Sequence, residues 1–331
     1  MDMQAIEKLV DSYVACWLPK RPTFNGIYER NDFGCEHLQV FRAYSVQSFE
    51  HDELSQLCAL LTRSLRGQIN DDHMLLWAWC AQLTHWFRHS VPLFRDEWVY
   101  AFTSLAHLVL SGKQGLTAGT EMPAREQASL RYVNRHLLEV EMRKHLIGAP
   151  LSLALLEGLL RRKNYSHVSV DGTVIQSFSV TLSNGKVQTY QSGNHLNRIN
   201  VEMRLFEQLT TANRGRQCLG LGSFTQEVSG LYPSPLHPFD LVDTWRNDLL
   251  HGNQYWQDRL PIVLNLICIL VLDEIEPSVY RAEVDNQIKN MEWERKTASL
   301  MGNYVGIRGH WETFPPDLPL WQTKNAPSQP G

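Results

Sequence analysis

Residues 240–275 read DLVDTWRNDLLHGNQYWQDRLPIVLNLICILVLDEI, two helices and the break between them. Val242, Trp245, Leu249 and Leu250 recur at helical spacing and predict a short helix over Asp240–His251, capped by Asp240 and followed by Gly252. Leu260–Ile275 is apolar nearly all round, the pattern of a helix buried on every side. Pro261 suits a first helical turn. With Pro261 and Asn265 inside it, the run falls short of the roughly 18 to 20 apolar residues that a membrane span needs. A core of packed helices is the fold that accommodates both segments.

Working outward, the same periodicity predicts helices over Met3–Leu18, Glu53–Leu65, His73–His89, Glu97–Leu110, Ala124–Ile147, Leu151–Lys163, Asn197–Ala212 and Val279–Met301. Asp71 and Asp72 supply a cap for the third of these. Gly148–Pro150 reads as a helix break, Gly215–Pro238 as a long Gly/Pro loop, and Pro22–Phe49 as irregular chain or short strands. One stretch has β character: Val168–Val170, Thr173–Leu182 and Val187–Tyr190, separated by Asp171-Gly172 and Asn184-Gly185. Both dipeptides favour two-residue hairpin turns, which predicts a small three-stranded antiparallel meander over about 166–191. SGKQGLTAGTEMP (Ser111–Pro123) has linker composition. The fold class expected is therefore mainly α, with a helical N-terminal domain over 1–122 for sensing or regulation. The second part, over 123–331, is a helical bundle with an inserted β-meander and a mobile Pro-rich tail over about 314–331.

The 331 residues carry 31 Lys+Arg against 35 Asp+Glu, a net charge of −4, which argues against gripping nucleic acid by bulk charge. Any such contact needs a local cluster. The six cysteines show no CxxC spacing, and the N-terminus MDMQAIEKLV places acids where a secretory signal places bases. A reduced, cytoplasmic protein is expected, without a membrane span.

Chemistry points to Arg246-Asn247-Asp248-Leu249-Leu250-His251-Gly252. On a helix Asn247 and His251 share a face, and the long Arg246 side chain reaches the same edge. An imidazole with a reference pKa of about 6.5 holds either protonation state near neutrality, and a guanidinium fork matches phosphate oxygens. These groups suit RNA cleavage in which the 2′-hydroxyl attacks its neighbouring phosphorus. The bare Arg–His spacing also occurs at Arg30/His37, Arg66/His73, Arg131/His136 and Arg162/His167. Asn directly after the Arg, Gly directly after the His, and flanking apolar helices set 246–252 apart. The plain alternative pairs Arg246 with Asp243 or Asp248 and leaves His251 as a helix terminus.

RNDLLHG resembles the motif of the HEPN superfamily, and the apolar stretches LALLEGLLRR (Leu153–Arg162) and MRLFEQL (Met203–Leu209) fit its bundle. The resemblance spans roughly Ala124–Met301. It implies a HEPN-like helical bundle and a metal-independent ribonuclease in which Arg246 and His251 are catalytic and Asn247 supports them. It further implies no cofactor and no metal, an RNA substrate, a homodimer with a composite site, and an antitoxin or defence-system partner. Arg161, Arg162, Lys163, Arg214 and Arg216 are the basic residues expected to contact RNA phosphate. The competing expectation is a non-catalytic helical scaffold that binds a partner protein or nucleic acid.

Other clusters have plainer accounts. Glu141 and His145 share a helical face, which reads as a solvated surface better than as a metal site. Glu157, an acid among leucines, either faces the motif helix or pairs with Arg161 or Arg162. Trp77, Trp79, Trp86 and Phe87 read as core, and the glycines of 215–230 lack phosphate-loop spacing.

Overall fold

A computed structural model describes residues 2–17, 40–66, 71–110, 147–215, 217–232, 234–250 and 259–301. The chain is mainly helical: α1 (Met3–Trp17), α2 (Val40–Ala43), α3 (His51–Arg63), α4 (Asp71–Trp86), α5 (Trp98–Leu110), α6 (147–163), α7 (Ile199–Arg214), α8 (Leu221–Leu231), α9 (Pro238–Leu250), α10 (Arg259–Glu274) and α11 (Pro277–Met301). A hairpin of β1 (Phe178–Thr181) and β2 (Val187–Tyr190) lies between α6 and α7.

Local chemistry explains several of these bounds. Asp2 caps α1 by accepting from the backbone N–H groups of Gln4 and Ala5, each at 3.1 Å. Glu50 and Glu53 close a reciprocal capping box at the start of α3. Ile6, Val10, Tyr13 and Val14 form the buried stripe of α1. By contrast α10 is buried from Leu260 through Asp273, as its all-round apolar sequence requires, and α3, α4 and α8 lie around it. The aromatic run predicted as core is there: Trp77, Trp79, Trp86 and Phe87 are all buried.

Residues on both sides of the 111–123 stretch build one core. Leu54, Leu57 and Leu61 of α3 join Leu156, Leu159, Phe224 and the leucines of α10 in a single apolar cluster. Polar bonds run the same way: His51 Nε2 meets the Leu272 carbonyl at 2.8 Å, and Trp98 Nε1 donates to the Leu155 carbonyl at 2.8 Å. The linker composition of 111–123 therefore accompanies no division of the core.

Four expectations are corrected. Gly215–Pro238 is not one long loop, because α8 forms within it. Gly220, at φ +78°, is its N-cap, and a Cβ there would stand 2.5 Å from the Ser55 carbonyl oxygen. Gly220 thus serves the close packing of α8 on α3, whereas a Cβ at Gly215 or Gly222 would meet nothing within 4 Å. The meander is a two-stranded sheet, β1 pairing antiparallel with β2, and the first expected strand shrinks to the bridge Val168–Val174. Both turns are three-residue loops: Gly172 N–H bonds to the Ser169 carbonyl and Gly185 N–H to that of Leu182, each glycine at positive φ in the last loop position. Finally, α9 starts at Pro238. The His237 carbonyl accepts from Asp240 and Leu241, and its Nδ1 accepts from the Phe239 N–H at 3.2 Å, so the cap is His237, not Asp240. Nor is helix broken at 148–150, since α6 runs through Pro150.

The hairpin packs on α7 with a small core of its own, Val168, Val174, Phe178, Val180, Tyr190 and Leu196 against Val201 and Leu205. Ile199, Met203 and Phe206 on another face of α7 enter the main core. Buried on two sides, α7 is the element against which α9 and the hairpin are placed.

Candidate functional site

Arg246 sits one turn before the end of α9, and its guanidinium turns inward to α6. Arg246 Nε donates to Glu157 Oε2 at 3.3 Å, and another guanidinium nitrogen lies 3.5 Å from Glu157 Oε1. Glu157 also receives Arg161, one turn along α6. Arg161 Nε continues to Glu202 Oε1 of α7 at 3.1 Å, while its other nitrogens donate to the Val170 and Leu196 carbonyls. The result is a row of alternating charge, Arg246, Glu157, Arg161 and Glu202, crossing α9, α6 and α7. Side-chain exposure falls from 19% at Arg246 to 0% at Glu202.

Burial governs the electrostatics at the deep end. Among the described residues Glu202 Oε2 has no hydrogen-bond partner, and desolvation pushes the carboxyl up to about 8, with Glu157 adding to the rise and Arg161 and Arg246 opposing it. Asp243, one turn before Arg246, is also raised by burial, although Arg198, the Ile199 and Asn200 N–H groups and Arg246 pull it down. Asp243 Oδ1 accepts from Ile199 N–H at 2.9 Å, so it caps α7 from a neighbouring helix. Asp240, on the same side of α9, binds Asn200 Nδ2 at 2.7 Å and Ser183 of the hairpin loop, and its carboxyl stays below the usual range despite burial, through those bonds and Arg204.

The open question about Arg246 resolves toward Glu157. Asp248 instead meets Arg259 at 3.3 Å, and Asp243 faces the start of α7. Both accounts of Glu157 hold together, since it faces α9 and also pairs with Arg161. Asn247 is exposed, its Oδ1 3.5 Å from Arg246. His251 and Gly252 lie outside the described residues, as do Glu141 and His145.

Of the basic residues expected to contact phosphate, Arg161, Arg162 and Lys163 are each paired with acids of the chain. Arg161 is held between Glu157 and Glu202. Arg162 Nε donates to Asp96 at 2.7 Å. Lys163 is 1% exposed, 3.2 Å from Asp273 and bonded to Glu274, with the Phe206 ring centroid 4.8 Å away. Buried between two acids and an aromatic face, this cation is committed to contacts within the bundle. Arg214 lies in the last turn of α7, and Arg216 is outside the described residues. Among the described residues no group of three or more His, Cys, Asp and Glu is arranged to hold a metal ion, and no helix is long and apolar enough to cross a membrane.

Glu202 and Asp243 are not singled out by the motif, yet each leaves a trace in the sequence. Glu202 lies three residues after Ile199 and four before Phe206, on an otherwise apolar helical face, and Asp243 lies beside Val242 at similar spacing to Phe239. An acid on a buried stripe needs a partner, and here the partners are Arg161 from α6 for Glu202 and backbone N–H groups of α7 for Asp243. No family model matches the chain, and no curated protein or solved structure is similar enough to be matched with it.

Proposed function

We propose that the chain is a metal-independent RNA endonuclease of HEPN type, with its site at the C-terminal end of α9. Arg246 steadies the phosphate, Asn247 supports it and His251 transfers the proton. The observation that supports this most is the Glu157–Arg246 pair. It holds a fork-shaped cation in the last turns of α9, partly open to solvent and adjacent to the exposed Asn247. In this chemistry the RNA 2′-oxygen bonds to the neighbouring phosphorus as its proton passes to the imidazole. The bond to the 5′-oxygen then breaks and that oxygen takes up a proton. The products are a 2′,3′-cyclic phosphate and a 5′-hydroxyl. Arg246 offsets the negative charge that grows on the phosphoryl oxygens, a role worth on the order of 10² to 10³ in rate. A second copy of the chain completes the site, and the setting is cytoplasmic defence or toxin–antitoxin control, with an antitoxin or defence-system component as the restraining partner.

One observation favours a second reading, a non-catalytic helical scaffold for a partner protein or nucleic acid: Arg161, Arg162 and Lys163 are all taken up by acids of the same chain. The two separate cleanly when purified protein is incubated with mixed single-stranded and structured RNA in EDTA. Fragments ending in cyclic phosphate support the nuclease. Intact RNA, or cleavage that EDTA abolishes, contradicts it.

A further inference from the structure

We propose that Glu202 is a positioning residue for Arg246, acting through Arg161 and Glu157, so that its protonation state sets how firmly the Arg246 guanidinium is drawn inward. The inference rests on the site assigned above but concerns the arginine itself.

The geometry is a chain with one shared atom. Glu157 Oε1 receives both Arg161 and Arg246, and the Arg246 contact is the longer of the two. Arg161 in turn divides itself between Glu157 and Glu202. With Glu202 ionised, two carboxylates face two guanidinium groups, Arg161 is shared, and Glu157 is left to hold Arg246. With Glu202 protonated, Arg161 has one carboxylate partner and concentrates on Glu157. The cluster then carries one unmatched positive charge. Arg246 is the more exposed arginine, 19% against 13%, and is the one that can turn outward to an anion. In the ribonuclease this outward state is the one that meets phosphate.

The surroundings of Glu202 leave few other ways to answer its charge. Among the described residues, the charged groups acting on it are Arg161 and Glu157 from α6 and Arg246 from α9. On the hairpin side α7 meets apolar Val168, Val180 and Leu196. Asn164 of the loop after α6 donates to the backbone carbonyl of Glu202, not to its carboxyl. Glu202 Oε2, buried and without a partner, is where a proton is most easily kept, because an unpaired carboxylate oxygen in the interior is strongly disfavoured.

The test follows the arginine Nε–H resonances of the full chain from pH 6 to 9.5, with Arg246 and Arg161 assigned from R246K and R161K. The expected result is a step near pH 8 in both wild-type signals. In Glu202→Gln the step is absent, and Arg246 keeps its low-pH position throughout. Glu202→Asp keeps a titrating carboxyl and is expected to keep a displaced step, which a purely structural role would not predict. No step at Arg246 in the wild type, or the same step in Glu202→Gln, overturns the inference. If the Gln variant does not fold, the wild-type result decides together with Glu carboxyl carbon signals: a Glu202 step shared with Arg246 supports it, and a Glu202 step without one at Arg246 refutes it.

RNA cleavage is scored separately. Wild-type cleavage is expected to fall about tenfold from pH 7 to 9, the change expected of a single group titrating near 8, and Glu202→Gln is expected to lack that fall. A chain that cleaves no RNA but shows the linked step loses the nuclease assignment and keeps this one. Cleavage that requires Arg246 and His251, with Arg246 indifferent to Glu202, keeps the nuclease and refutes the role of Glu202.

Discussion

Arg246 and Glu157 join the last turns of α9 to the middle of α6, Nε to Oε2 at 3.3 Å, with each side chain less than one-fifth exposed. Such a pair is neither a surface ion pair of negligible value nor a fully buried one. A double-mutant cycle with Glu157→Gln and Arg246→Gln, read by urea unfolding, is expected to give a coupling energy of about 0.5 to 1.5 kcal/mol. Coupling within about 0.3 kcal/mol of zero means that the two act independently.

Glu202 makes stability depend on pH in an unusual direction for a carboxylate. Its folded value is raised to about 8 from an ordinary unfolded value of 4.5, so the folded state binds the proton more tightly. Its contribution is complete below the unfolded value and is lost as pH rises through the window between the two. The slope is at most about 1.4 kcal/mol per pH unit for one proton. Glu202→Gln is expected to remove this decline, so that the variant gains on the wild type steadily from pH 5 to 8 in denaturant titrations. Parallel curves would show that Glu202 ionises in the folded state at its ordinary value.

Asn265 looks, in sequence, like a blemish in the apolar α10, yet it ties three helices together. Its Oδ1 accepts from Trp77 Nε1 of α4 at 2.6 Å, and its Nδ2 donates to Thr62 Oγ1 of α3 at 3.0 Å. Asn265→Leu adds apolar volume but strands the indole N–H in the core. It is expected to destabilise by about 1 to 3 kcal/mol in equilibrium unfolding. A more stable variant would mean that the bridge contributes nothing beyond packing.

Gly220 and Gly185 share a left-handed backbone but differ in surroundings. A Cβ at Gly220 meets the Ser55 carbonyl oxygen at 2.5 Å, whereas nothing lies within 4 Å of one at Gly185. Gly185→Ala is expected to cost about 1 to 2 kcal/mol for the backbone alone. Gly220→Ala should cost clearly more, because α8 must also withdraw from α3. Equal losses in thermal unfolding would show that α8 yields freely there.

Helices with one regular apolar stripe are legible from the sequence alone, as α1, α3 and α5 illustrate, and so is α10 with apolar residues on every face. Elements that depend on a distant partner are not. α8 is hidden because Gly220, Gly222 and Gly230 read as loop in the sequence, and the approach of Gly220 to Ser55 of α3 exists only in the folded chain. The Val168–Val170 strand fails because the Asp171-Gly172 loop uses three residues and leaves a single bridge. At the site, the Arg246 and Asn247 positions follow from helical spacing. The inward turn of Arg246 does not, because it depends on Glu157 and Arg161 from α6, and on Glu202 of an α7 buried on both sides. Charge counting along α6 misleads for the same reason: its cations answer acids distant in sequence, Asp96, Glu202, Asp273 and Glu274.

The most direct test compares initial rates of RNA cleavage by wild type and His251→Ala, in EDTA near pH 7, with circular dichroism and gel filtration confirming that both are folded alike. Loss of the proton-transferring ring is expected to slow cleavage by about 10² to 10⁴-fold with substrate binding little changed. Equal rates in the two proteins would contradict the assignment of Arg246–Gly252 as a ribonuclease site.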